Sequence, residues 1–164
     1  MGLFKAFDIS ASGMTAERYR MDIISENLAN MNTTRTEDGT PYRRQVVTFQ
    51  ERGSKTPFSN ILDEQRDRYA DKWGKYRDKY QNQYSGAGVK VTGVYDDEWT
   101  EMKMVYDPAH PDADENGYVM YPNVDAVTEF VNLIDASRAY EANATAFEAS
   151  KSMAQRGLSI GGQA

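Results

Sequence analysis

The residues with the clearest capacity for chemistry lie in one acidic turn, where Asp112, Asp114 and Asn116 alternate before Gly117. Oxygen-bearing side chains at alternate positions followed by a glycine are typical of the start of a calcium loop, because these oxygens converge on one cation. The twelfth position of such a loop carries a bidentate glutamate, whereas this chain has Asn123 there. The sequence therefore offers a calcium candidate at these three residues, beside a simpler interpretation as an acidic turn that leads into a strand.

Catalytic and cofactor sites are not predicted. The chain has no cysteine and one histidine, which excludes thiol catalysis, disulfides and metal sites that need several of these ligands. Walker A, GxGxxG and GxSxG motifs do not occur. We expect His110 to be exposed in a proline-rich loop, and no spacing of carboxylates favours the alternative of a hydrolase with paired acids. The sequence predicts a protein that is not an enzyme and has no cofactor.

Charge and hydropathy exclude two further classes of partner. The 164 residues carry a net charge of −6, so binding to a phosphate backbone is not predicted. No segment approaches the roughly 18 apolar residues that span a bilayer, so direct membrane insertion is not predicted either. The first residues, MGLFKAFDIS, lack an apolar stretch behind a basic one, and a cleaved secretory signal is not expected.

The element that begins the chain is predicted as a long helix over residues 3–31. Its apolar residues recur at alternating steps of four and three, which is the heptad pattern of helices that pack along a narrow seam. Asn30, Asn32 and Thr33 are expected to end the helix, because their side chains compete for backbone hydrogen bonds. The seam residues expected to pack between subunits are Leu3, Phe7, Met14, Met21, Ile24 and Leu28.

A second heptad segment occupies the other end of the chain. Pro122 precedes it, Asn123 or Asp125 is expected to cap it, and Gly157, Gly161 and Gly162 are expected to end it. Both seams are narrow, so we expect the two helices to pack with each other, with other chains, or both. An ordinary antiparallel pair within one globule is the alternative. The expected subunit-packing residues here are Phe130, Leu133, Ile134, Tyr140 and Phe147.

The middle of the chain predicts short strands and one unusual helix. Residues 42–50, 88–95, 102–106 and 118–121 are rich in β-branched and aromatic residues. Residues 60–84 combine alternating charges with an aromatic stripe at helical spacing. We therefore predict an α+β fold, in which long N- and C-terminal helices form a coiled-coil-like pair and a small β-containing middle domain carries an extra charged helix. The predicted domains are 1–34, 35–122 and 123–164.

Several separated motifs resemble those of bacterial flagellar rod and hook proteins. Ser10-Ala-Ser-Gly-Met14 and Asn27-Leu-Ala-Asn30 resemble their amino-terminal signature, and Tyr121-Pro-Asn-Val-Asp125 with Ala136-Ser-Arg-Ala-Tyr-Glu-Ala-Asn143 resemble the carboxy-terminal one. The stretch from Val105 to Asp114 is similar to that of proximal rod proteins. Residues 52–85 depart from this resemblance and are interpreted as an enlarged middle segment.

The resemblance implies a structural subunit of the flagellar basal-body proximal rod. Such proteins leave the cytoplasm through the flagellar type III export apparatus without a cleaved signal peptide. In the periplasm they assemble helically with copies of themselves and with other rod proteins. Their terminal helices form the inner shell of a hollow, torque-transmitting shaft. A calcium-binding or other protein-interaction module is the alternative function.

Overall fold

Two long helices, one near each end of the chain, form the scaffold of the computed structural model, which describes residues 3–52 and 86–161. Helix α1 spans Leu3–Ala29 and helix α2 spans Ala126–Gly161. They run antiparallel, because Phe7 near the start of α1 contacts Phe147 of α2, whereas Asn27 near its end contacts Glu129. At about 1.5 Å per residue, α2 is about 54 Å long and α1 about 40 Å.

Between the helices, the described residues contain four strands in two antiparallel pairs. Strand β1 (Gln45–Glu51) pairs with β2 (Val89–Asp96), and β3 (Lys103–Tyr106) pairs with β4 (Tyr118–Tyr121). Each predicted β-rich segment overlaps one of these strands, with β1 and β2 each ending one residue beyond its segment, and the predicted α+β class is confirmed. The predicted charged helix over residues 60–84 lies outside the described residues.

The contact between the two helices combines small, polar and large apolar residues. A Cβ atom on Gly13 would lie 2.7 Å from the Asn143 side-chain oxygen, so the two backbones approach closely where Gly13 has no side chain. Ala136 of α2 is fully buried, and Ile23 and Ile24 of α1 are buried near the other end of the pair. The helices thus approach closely at Gly13, and larger apolar side chains such as Ile24 are buried elsewhere along the pair.

The start of α2 is fixed by a single side chain. The Asp125 carboxylate accepts hydrogen bonds from the Thr128 amide at 3.2 Å and the Thr128 hydroxyl at 2.7 Å. Of the two predicted caps, Asp125 is therefore the one that caps the helix. The helix continues through Gly157 to Gly161, so the prediction that Gly157 ends it is wrong. One glycine costs only about 1 kcal/mol of helix propensity, which a long helix tolerates.

Candidate assembly interface

A buried polar cluster joins the two helices to the strands, and we call it the polar junction. Its centre is formed by two fully buried side chains, Asn27 of α1 and Glu129 of α2. The remaining groups come from the start of β1 and the residues before it, from the residue after β2, and from the segment between β4 and α2. Polar groups without water are costly unless they are hydrogen-bonded, so the geometry of this cluster decides how the elements fit together. Its members are Asn27, Tyr42, Arg44, Gln45, Asp97, Asn123 and Glu129.

Asn27 ties the end of α1 to the start of β1. Its amide nitrogen donates to the Gln45 carbonyl at 2.9 Å and to the Glu129 carboxylate at 3.3 Å. Its oxygen accepts from the Gln45 amide at 2.8 Å and the Tyr42 hydroxyl at 2.9 Å. Both donors and both acceptor positions of the asparagine are used. Asn27 therefore pairs with the Gln45 backbone much as a neighbouring strand would.

Glu129 and Arg44 form the charged centre of the junction. The Glu129 side chain is 1% exposed, and its Oε1 atom accepts from Arg44 Nε at 2.8 Å and lies 2.8 Å from Nη2. The guanidinium also reaches Asp97 at 3.4 Å. Because a buried carboxylate without its cation is strongly unfavourable, this pair requires α2 and the approach to β1 to stay in one relative position.

Asn123 and Asp97 extend the junction to the loop between β2 and β3. Asn123 accepts from the Arg44 amide at 2.8 Å and donates to the carbonyls of Asp97 at 2.9 Å and Thr100 at 3.1 Å. The pKa of Asp97 is held below its usual range, first by the hydrogen bond from the Thr100 hydroxyl and then by the amides of Thr100 and Trp99 and the Arg44 guanidinium. This loop is therefore fixed to the buried centre.

Tyr42 is the junction residue with the largest electrostatic perturbation. Burial of its phenol, together with the nearby carboxylates of Glu26, Asp96 and Glu129, raises its pKa to about 12. Each of these effects disfavours the phenolate. The tyrosine stays protonated and can continue to donate to Asn27 well above neutral pH.

A second attachment joins the middle of α1 to the start of β2. The Ser12 hydroxyl donates to the Ile9 carbonyl at 2.7 Å and accepts from the Val89 amide at 3.1 Å. Gly88 has a φ of 96°, and a Cβ atom there would collide with the Ser12 side chain. Glycine is needed at this position both for its backbone conformation and for the close approach.

The predicted subunit-packing residues differ in how deeply the structure buries them. Phe7 and Phe147 contact each other with ring centroids 4.9 Å apart, and Ile24 is buried, so these three contribute to packing within the chain. Phe130 and Ile134 are about half exposed. The rest are partly buried, except Leu3, whose side chain is outside the described set: Met14, Met21, Leu28, Leu133 and Tyr140.

The outward side of α2 carries a continuous apolar face, which we call the α2 outer stripe. It consists of Val127, Phe130, Val131 and Ile134, which are 52–71% exposed. Their spacing of three, one and three positions places them on one side of the helix. A run of large apolar side chains on one side of a helix is typical of a surface that binds another protein.

The calcium candidate does not gain support from the geometry. The Asp112 carboxylate accepts from the Thr34 hydroxyl at 2.8 Å, and Asp114 accepts from the amides of Asn116 at 2.9 Å and Tyr118 at 2.8 Å. These hydrogen bonds are those of a tight turn. Across residues 3–52 and 86–161, no group of three or more acidic or histidine side chains is placed to hold a metal ion.

His110, expected to be exposed, is instead partly buried against that turn. Its Nδ1 atom accepts from the Asp112 amide at 3.1 Å. The ring therefore stabilises the turn through this hydrogen bond.

Two family models match the chain over its helical ends. The model described as Flagella basal body rod protein matches residues 7–35, and the model described as Flagellar basal body rod FlgEFG protein C-terminal matches residues 115–160. These ranges contain most of α1 and most of α2. The fold and the helix pair thus place the chain in the class of flagellar basal-body rod proteins.

Similar proteins match nearly the whole chain. It is 42% identical to the flagellar basal-body rod protein FlgC of Borreliella burgdorferi over 98% of both chains. It is 41% identical to FlgC of Bacillus subtilis and 37% identical to FlgC of Salmonella typhimurium, each over 98% of this chain and 99% of the relative. The chain belongs to the FlgC family of flagellar basal-body rod proteins.

The extent of these matches also corrects one interpretation. Because at least 98% of each chain is aligned, residues 52–85 have counterparts in these relatives and are not an enlargement compared with them.

Within the described part of the chain, no helix combines the length and apolarity needed to cross a membrane.

Proposed function

We propose that this chain is a structural subunit of the proximal rod and joins a helical assembly through its terminal helices. The observation that carries the proposal is the α2 outer stripe, a face of four large apolar residues left exposed on a helix that a family model for rod proteins matches. Burial of such a face against neighbouring subunits supplies a hydrophobic contribution to assembly.

The neighbours in this proposal are copies of the same chain and other rod proteins. The description of the second family model names FlgEFG, and this model matches residues 115–160, which supports a similar C-terminal helix in different subunits. Subunits with similar helix pairs can pack side by side in one shaft, and head-to-tail contacts that do not close into a ring generate a helix. A hollow shaft that transmits torque needs large, well-packed contacts, which long helices provide.

The polar junction has a positioning role in the proposal. It connects α1, α2, β1 and the β2–β3 loop through the buried Asn27 and Glu129. A fully hydrogen-bonded buried network favours one arrangement over others that would leave its groups unpaired. The junction thereby sets the direction in which the α2 outer stripe faces the neighbouring subunit.

The proposed location is the rod within the periplasm, reached through the flagellar type III export apparatus without a cleaved signal peptide. The export apparatus is therefore a second, transient partner. Membership of the FlgC family supports the basal-body location, because the relatives are named as basal-body rod proteins.

Incorporation of a charged variant into basal bodies tests the proposal. Phe130→Asp places a charge in the stripe, and we expect it to leave the fold intact because Phe130 is 55% exposed. We expect its circular dichroism to match the wild type, while purified basal bodies lack the subunit and cells do not swim. Glu141→Gln, on an exposed site of the same helix, is the matched control. Normal swimming of the Phe130→Asp strain would overturn the proposal.

A further inference from the structure

A second exposed surface lies away from the helices, at the end of β2, and we call it the aromatic patch. It is an open concavity lined by Val94, Tyr95, Asp96, Glu98 and Trp99. Trp99 is 96% exposed, and Tyr95 is more than half exposed. An almost fully exposed tryptophan is unusual, because this side chain is highly buried on average.

The patch is held in place by the polar junction. The Trp99 amide donates to Asp97 Oδ1 at 3.2 Å, and Asp97 is itself bonded to Thr100 and Arg44. The Tyr95 ring lies against Gly93, where a Cβ atom would be 3.1 Å from the phenol oxygen. Both aromatic residues therefore lie on backbone that is already ordered, which lowers the entropic cost of binding a partner.

The charges of the patch define the chemistry of that partner. Asp96 and Glu98 are exposed, and neither forms an ion pair with another described residue. A cation can lie over the face of an indole or phenol ring while a carboxylate beside it compensates its charge. Arginine and lysine side chains combine such a cation with an apolar stem, which suits the rings.

An anionic membrane surface fits these residues poorly. Exposed tryptophan and tyrosine also occur at membrane interfaces, where basic residues accompany them. Here the accompanying charges are carboxylates, which anionic lipids repel. A sugar chain could stack on the rings, but it would leave both carboxylates without a cation.

We propose that the aromatic patch binds an arginine or lysine side chain of a neighbouring subunit in the assembly. The identity of the neighbour rests on the proposed function, whereas recognition of the basic side chain depends only on Tyr95, Trp99, Asp96 and Glu98. The patch is then a second point of contact between subunits, outside the helical core.

Nuclear magnetic resonance on the full chain tests this recognition directly. The probe is the peptide acetyl-Gly-Arg-Gly-Arg-Gly-amide, compared with the same peptide carrying glutamine in place of arginine. We expect the arginine peptide to shift the signals of residues 94–99 with a dissociation constant on the order of 1 mM, and the glutamine peptide to leave them unchanged.

Variants separate the contributions of the rings and the carboxylates. Trp99→Ala should weaken binding of the arginine peptide by about threefold, as expected for loss of an exposed cation–π contact. Asp96→Asn combined with Glu98→Gln should weaken it by at least as much. Glu115→Gln, an exposed acidic site in another turn, is the control and should bind as the wild type does.

Two results would overturn the proposal. One is equal shifts with the arginine and glutamine peptides, which would show that the cation is not recognised. The other is saturable binding of chitotetraose at the same residues without binding of the arginine peptide, which would assign the patch to a sugar chain. Either result leaves the incorporation test at Phe130 unaffected, so the two proposals fail separately.

Discussion

Asn27 Nδ2 lies 3.3 Å from Glu129 Oε2, although 102 positions separate these residues along the chain. The contact joins the end of α1 to the first turn of α2 in a site from which water is excluded. The two helices that we propose to form the assembly contacts are therefore fixed relative to each other by polar groups. The apolar groups nearby remain free to face other subunits.

Loss of the arginine in the polar junction should destabilise the subunit strongly. Arg44→Ala leaves the buried Glu129 carboxylate without its cation, and we expect the free energy of unfolding to fall by about 3–5 kcal/mol. Adding Glu129→Gln should recover part of this loss, because the amide is neutral. Urea denaturation measures both. Arg35→Ala is the control, since Arg35 forms an exposed pair with Asp112, and a change there as large as at Arg44 would contradict the account.

Two glycine substitutions should change stability in opposite directions. Gly88→Ala requires a left-handed backbone and meets Ser12, so we expect a loss of about 1–3 kcal/mol. Gly157→Ala meets nothing within 4 Å inside helix α2, so we expect a gain of up to about 1 kcal/mol. Thermal unfolding of the two variants under the same conditions provides the comparison. Equal effects would show that the approach of β2 to α1 does not constrain the fold.

Alkaline pH should weaken the fold through Tyr42. Its pKa is raised from 10.0 to about 12 in the folded chain. Its contribution to the stability of the fold is therefore complete below pH 10 and is lost as the pH rises through about 12. Tyr42→Phe should remove this part of the pH dependence, which chemical denaturation at a series of alkaline pH values can measure. An unchanged alkaline profile in the variant would show that Tyr42 is not the responsible group.

Acidic pH should act through Asp97 with the opposite sign. The pKa of Asp97 in the folded chain lies below the ordinary value of 3.8. Its contribution to the stability of the fold is therefore present above pH 3.8 and is lost as the pH falls through the lowered pKa. Asp97→Asn should reduce the loss of stability on acidification. The comparison needs Asp38→Asn as a control at an exposed carboxylate without such hydrogen bonds. An equal effect of both substitutions would count against the junction as the cause.

Calcium should not bind at the acidic turn. Asp112 and Asp114 already accept hydrogen bonds from Thr34 and from amides of the turn, so we expect no heat of binding at millimolar calcium. Isothermal titration calorimetry checks this directly. Saturable heat that disappears in Asp114→Asn would restore the calcium-binding alternative.

The elements of this fold follow from sequence periodicity, but their contacts do not. Heptad spacing predicted both helices, and β-branched residues predicted each strand, because these signals are local. The arginine and glutamate at the centre of the junction were missed because they are 85 positions apart. A glutamate in the first turn of a helix and an arginine before a strand are both common on surfaces, so neither residue indicated burial.

The sequence also could not predict that Phe130 faces outward. Heptad spacing identified the large apolar residues and assigned them to subunit packing, and it could not divide them between contacts within the chain and contacts outside it. In the structure Gly13 lies close to the Asn143 side chain and Ala136 is fully buried, and both residues have little or no side chain. Small residues give a weak hydrophobic signal, although they allow the closest packing of two helices.

Ile24 and Ile134 differ in what a substitution would report. Ile24→Asp would also abolish incorporation, but Ile24 is buried within the subunit, so that variant would unfold the chain itself. Ile134 is half exposed and lies in the α2 outer stripe, so its substitution reports on contacts outside the chain.

The central claim is that the α2 outer stripe packs against neighbouring subunits. The most direct measurement of it is the rate at which maleimide labels a cysteine placed at position 134. The chain has no cysteine, so Ile134→Cys introduces a single reactive thiol. In a strain that still swims, we predict rapid maleimide labelling of the purified subunit and little labelling in intact basal bodies. Equally rapid labelling in both would contradict the claim, because the stripe would then face solvent in the assembled rod.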